Sequence, residues 1–191
     1  MATVMEQVEK LYVEYFLRPG DYSGVQYWTT VLSNNPAALN DISASFAGSA
    51  EYKQTYAGMN NTQLVQAVYH NLFGRDAEAG GLAFWKQALD EHRMSVSDMV
   101  TNIAAAAQNN DKVVLDARVT VAESFTQHLD LAAEQSAYSG VGANLIAKQY
   151  LGTIVDLSSA AYAINPGNID DTIATIVGTH QSSFDATHHL A

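Results

Sequence analysis

Two arginines, each followed three residues later by an acid, are the first places in this chain where chemistry could sit: Arg18 with Asp21, and Arg75 with Glu78. At that spacing the acid can cap an incoming helix while the arginine ties off the carboxyl end of the preceding one. Asp21 is also a candidate calcium ligand, although the closely spaced acids of an EF-hand loop are missing around it. Tyr27-Trp28 and Phe84-Trp85 offer flat rings that could stack on sugars. Helical phase places Trp28 on one face with Val25 and Leu32, and Trp85 on one face with Leu82 and Leu89, which assigns both tryptophans to packing. Tyr22, Tyr27 and Tyr138 are better candidates for exposed aromatic contacts. Asn34, Asn35, Asn60, Asn61 and Gln26 carry the donors and acceptors that a neutral sugar would use.

The histidines form no constellation. His70, His92 and His128 are scattered, and His180, His188 and His189 sit near the end of the sequence. No Gly-rich phosphate loop, Ser-His-Asp order or metallohydrolase pattern occurs. Asp170-Asp171 with Asp156 reads as a solvated acidic edge. The expectation is a non-enzyme with no catalytic residue.

The elements that position these residues are written twice. Arg18 to Trp28 returns as Arg75 to Trp85 at a constant offset of 57, with Gly24 matching Gly81, and Tyr12 and Phe16 matching Tyr69 and Phe73. A gapless match of this length marks a duplicated supersecondary unit. Its conserved set (Arg18, Gly24 and Trp28; Arg75, Gly81 and Trp85) builds turns and cores. Periodicity is helical throughout. Val4, Val8, Leu11, Tyr12, Tyr15 and Phe16 predict a first helix that stops at Pro19-Gly20. Asp21 caps a second helix to about Leu32, Pro36 opens a third, and Ser49 caps a short turn. The second unit runs from Leu64 to Gly74, then Leu82 to Leu89, then a capping box of Ser95 and Asp98. A long helix is expected from Lys112 to about Ala133, another around Leu145 and Tyr150, and two short ones about Asn165-Pro166-Gly167. The fold class is all-α: two duplicated helix-turn-helix units, residues 1–58 and 59–110, then a helical section 111–179 packed on both and a flexible tail 180–191.

Composition narrows the partners. The chain has 191 residues, with 20 acids against 9 lysines and arginines, giving a formal charge of −11. Such a surface repels phosphate backbones and excludes nucleic acid as an expected partner. There is no cysteine, hence no disulfide or thiolate site. Acidic, lysine-poor and cysteine-free composition is that of bacterial surface proteins exported unfolded. The Met1-Ala2-Thr3-Val4-Met5-Glu6 start lacks the basic and apolar regions of a cleaved signal, so an export signal is expected elsewhere. No stretch approaches a membrane span, and no membrane insertion is expected.

The pattern Arg–x–x–Asp/Glu–x–x–Gly–Leu/Val–x–Tyr/Phe–Trp resembles the bacterial domain-of-unknown-function family four-two-one-four, itself similar to phycobilisome linker domains. Phe46-Ala47-Gly48-Ser49-Ala50-Glu51-Tyr52 fits that family's second motif, Phe-x-x-Ser-x-Glu-Tyr. The first copy departs in having Gly20 in the proline slot; the second has Ala77 there and Glu78 for Asp, and lacks the Ser-x-Glu-Tyr element. Asp111 to Thr126 is similar to the helix that follows such modules, and Asp156 to Ile176 to the segment that closes them. The resemblance implies a type I secreted protein at the bacterial cell surface. It further implies the N-terminal anchoring region of a Gram-negative S-layer protein, binding lipopolysaccharide O-antigen with calcium (Ca2+) assistance and self-associating in a lattice. The alternative is a protein–protein scaffold or linker module without a small ligand.

Overall fold

The computed structural model describes the backbone of residues 2–188 and the side chains of residues 2–179. The first helix, α1 (Val4–Phe16), starts at a capping box: Thr3 Oγ1 accepts from the Glu6 amide at 2.9 Å, and Glu6 returns a carboxylate oxygen to the Thr3 amide. It is followed by α2 (Tyr22–Asn34), a 3-10 turn at Pro36–Ala38, α3 (Leu39–Gly48) and α4 (Ala50–Thr55). Then come α5 (Asn61–Phe73), α6 (Ala79–Asp90) and α7 (Val96–Ala105). The last section holds α8 (Asn109–His128), α9 (Ala132–Ala137), α10 (Gly140–Gly152), α11 (Leu157–Ala163) and α12 (Pro166–His188). The described residues contain helices and no strand, so the protein is all-α.

Helix α1 is the hub, packing against α2, α3, α4, α5, α7 and α8. Contact on so many sides buries both its apolar residues and two of its acids, Glu9 and Glu14. Buried residues from both sequence units, among them Val13, Phe46, Val68 and Met99, join one continuous core. A smaller cluster of Phe125, Leu129, Tyr138, Ala147, Ile169 and Ile173 holds α8, α9, α10 and α12 together. Each fully buried aliphatic side chain contributes roughly 1.5–3 kcal/mol.

Two chain reversals come at the ends of α1 and α5, and both use a left-handed residue: Leu17 with φ 53° and Gly74 with φ 69°. Leu17 accepts that conformation because its side chain is buried in the core. A β-carbon on Gly74 would lie 3.1 Å from an Arg118 nitrogen and 3.2 Å from Val155, so glycine serves there on both counts.

The last section differs from the expected boundaries. α8 begins at Asn109 and stops at His128, where Leu129 and a short α9 replace its expected last turn. The second of the two short closing helices is instead the long α12, opened by Pro166 in its first turn. The expected tail, 180–191, lies outside the residues whose side chains are described, and with it the His188–His189 pair.

Candidate functional site

The repeated arginines build a pair of matching clamps. Arg18 lies over the rings of Tyr12 and Phe16 and grips Glu51 with two parallel bonds, Nε to Oε1 at 2.8 Å and Nη2 to Oε2 at 2.7 Å. Its Nη1 donates to the Pro19 carbonyl. Arg75 lies over Tyr69 and Phe73, grips Asp111 at 2.7 and 2.6 Å, and donates through Nη1 to the Asp76 carbonyl. Both carboxylates sit in the first turn of a helix, where the dipole favours negative charge, and the fork of the guanidinium fixes their orientation.

The expected capping by the acids holds in the first unit and fails in the second. Asp21 caps α2 as expected, accepting from the Gly24 amide at 2.8 Å, and Arg18 pairs with Glu51 across 33 residues. Arg75 does reach Glu78, at 2.9 Å, but Glu78 then makes no side-chain cap to α6. The longer glutamate bends back to the arginine, which holds its carboxyl below the usual range. Gly24 and Gly81 are required where the second helix of each unit passes the tyrosine of the first. An added β-carbon would stand 2.2 Å from the Tyr12 hydroxyl and 2.8 Å from that of Tyr69.

A buried carboxyl braces the first clamp. Glu9 is fully buried, accepting from the Gly20 amide at 2.9 Å and from the Thr126 hydroxyl of α8 at 2.5 Å. Burial pushes its pKa up to about 7, against the hydrogen bonds and the nearby Arg18. In the second unit, 57 residues on, Gln66 accepts from the Ala77 amide at 2.7 Å. Glu14 is also buried, with only Lys10 at 3.7 Å, and burial lifts it to about 8. Arg118 is buried without a carboxylate and donates to the carbonyls of His70, Asn71 and Ile154; burial lowers it to about 10.

The residues expected to touch a ligand do not converge. Tyr138 is not an exposed contact: it is 1 % exposed, its hydroxyl donating to the Pro19 carbonyl at 2.6 Å and its ring packed on Phe125. The turn between α9 and α10 that carries it folds onto Arg18. Tyr22 and Tyr27 are exposed. Trp28 and Trp85 pack partly buried on the core, Trp85 donating to the Tyr69 hydroxyl at 3.2 Å. Asn35 caps the 3-10 turn, Asn60 caps α5, and Asn61 bonds Asp90; Asn34 is exposed at the end of α2. None of these asparagines lines a main cavity. Asp21 spends its carboxylate on Gly24 and Ser23, and no group of three or more acids and histidines among the described residues could hold a metal ion.

A cleft of about 390 Å³ lies elsewhere, between α4 and α10. Gln54, Thr55, Asn144 and Lys148 give it polar groups, and Val141 and Leu145 give it an apolar wall, 79 % and 52 % exposed. Glu51, paired with Arg18, also lines it, and burial lowers the pKa of Lys148 despite the nearby Glu51. Sequence reasoning missed this cleft, because α4 and α10 lie about ninety residues apart and neither carries a signal for the other. A second groove, between α8 and α11, is lined chiefly by Val113, Ala117, Val121, Leu157 and Ile164.

An all-α module with matched arginine clamps is what the geometry defines. Residues 43–113, from within α3 to the start of α8, match the model of a family described as Domain of unknown function (DUF4214). No curated protein and no solved structure matches the chain. No helix of the described residues is long and apolar enough to cross a membrane.

Proposed function

We propose that this chain is a non-catalytic anchoring module of a bacterial cell-surface protein, holding the neutral polysaccharide of lipopolysaccharide in the cleft between α4 and α10. The cleft itself carries the reading. Its amide and hydroxyl groups, Gln54, Thr55 and Asn144, are the kind that exchange hydrogen bonds with sugar hydroxyls, while Val141 and Leu145 present a surface for a ring's C–H face. The acid that lines it, Glu51, is neutralised by Arg18, which suits an uncharged ligand. The repeated motif residues are committed to packing and clamping, and His70 and His128 each pair with a single acid, Asp76 and Asp170. Among the described residues, that leaves no set of groups arranged for bond chemistry. A scaffold role is the second reading, favoured by the apolar groove between α8 and α11 with Leu157 and Tyr162 exposed beside it.

The test is a pull-down of the purified protein with smooth lipopolysaccharide and with lipopolysaccharide lacking O-antigen, each with calcium and with chelator. Capture by the smooth form alone supports anchoring through polysaccharide, and the chelator arm decides whether calcium takes part. Equal capture of both forms, or none from folded protein, rejects the reading.

A further inference from the structure

The two clamps share their geometry but not their cover. Over the first, the turn between α9 and α10 brings down Tyr138, whose hydroxyl bonds the Pro19 carbonyl and whose ring lies 5.9 Å from the Arg18 guanidinium carbon. Thr126 closes over Glu9 beside it, and the Arg18 side chain is left 6 % exposed. Ten residues beyond Tyr138, Lys148 lines the same cleft as the clamp acid Glu51. The second clamp repeats the receiving side of this interface: Tyr69 for Tyr12, Arg75 for Arg18, the Asp76 carbonyl for that of Pro19, and Gln66 for Glu9. There Asp76 is exposed, Gln66 is only half-buried and the Arg75 side chain is 41 % exposed. A cavity of about 250 Å³ opens beside it against Phe84 and Trp85.

We propose that this second clamp is a binding site for a tyrosine-bearing helical turn of another polypeptide, seated as Tyr138 and the start of α10 are seated on the first. The receptor groups are in place. The Asp76 carbonyl accepts the phenol, and the Arg75 guanidinium, held flat by Asp111, offers its face to the ring. Charge sets the partner's remaining chemistry. Arg75 is surrounded by Asp76, Glu78 and Asp111, an acidic excess that favours a segment with a lysine placed as Lys148 is relative to Tyr138. The site is distinct from the α4–α10 cleft and stands whether or not that cleft takes polysaccharide.

The experiment titrates isotope-labelled full-length protein with a synthetic peptide of this chain's residues 130–152, following the Gln66 side-chain amide and the Arg75 Nε–H resonances. The expected result is saturable shifts at both, with affinity about tenfold lower for a peptide carrying Tyr138→Phe, the loss typical of one buried hydrogen bond. Placing the substitution in the peptide leaves the protein's folding untouched. Absence of saturation up to millimolar peptide, equal binding of the phenylalanine peptide, or shifts confined to the Arg18 region would each overturn the proposal.

Discussion

Replacing Glu9 with glutamine should stabilise the protein at neutral and alkaline pH and leave it unchanged in acid. The Glu9 carboxyl titrates near 4.5 when solvated and about 7 in the fold, because burial penalises its charge. Arg18, drawn close by Pro19 and Glu51, offsets only part of that penalty, while Glu123, Tyr12 and Tyr138 offer no positive charge. The folded state therefore binds a proton that the unfolded chain has released between those two values, and stability falls as pH rises through that window. At 1.36 kcal/mol per unit, the ionised carboxyl costs about 3 kcal/mol above pH 7. Glutamine keeps the geometry: one side-chain atom accepts from the Gly20 amide, as Gln66 does from Ala77, and the other donates to Thr126. The Thr126 hydroxyl can then donate to the Gly20 carbonyl, already 3.2 Å away. Urea unfolding of both proteins from pH 4 to pH 8.5 gives the difference directly, and the contribution of Glu14 cancels because it is common to both. A variant less stable than the parent at pH 8, or a difference independent of pH, would refute the reasoning.

Two further predictions concern the clamps and the glycines. Arg18→Gln removes a guanidinium only 6 % exposed from its bidentate bond to the part-buried Glu51 and should cost about 1.5–3 kcal/mol, whereas Arg75, 41 % exposed, should cost about 1 kcal/mol or less when changed to glutamine; denaturant midpoints would rank them. Adjacent glycines of α6 should respond in opposite directions. Gly80→Ala enters open space and should stabilise by about 0.5–1 kcal/mol, while Gly81→Ala collides with Tyr69 and Glu78 and should destabilise by about 1–3 kcal/mol. Thermal melts would read both.

The helices were legible because their signals are local. Thr3 with Glu6, Ser95 with Asp98 and Asn35 before Pro36 each sit within one turn of what they cap. The phase of Val25 and Leu32 correctly assigned them to the core. What local signals could not supply was the partner of a charge. Arg18 has an acid three residues away in sequence, yet it takes Glu51, because α4 delivers that carboxylate to the guanidinium's open edge. Tyr138 was expected to be exposed, and long-range packing, α9 against α12 and its hydroxyl against the Pro19 carbonyl, turns it inward. The Glu9–Gln66 and Gly20–Ala77 pairs obey the same offset as the motif and could have been read from it. The α4–α10 cleft could not, since it exists only where two distant segments meet.

Calorimetric titration of lipid-free O-polysaccharide tests the central claim most directly. Wild-type protein and a Gln54→Ala/Asn144→Ala variant would be compared, after melts establish that both fold alike. The account predicts saturable binding by the wild type and at least about a tenfold loss in the variant, the two lost side chains contributing roughly 1 kcal/mol each. Undiminished affinity in the variant, or no binding by the wild type, would contradict it.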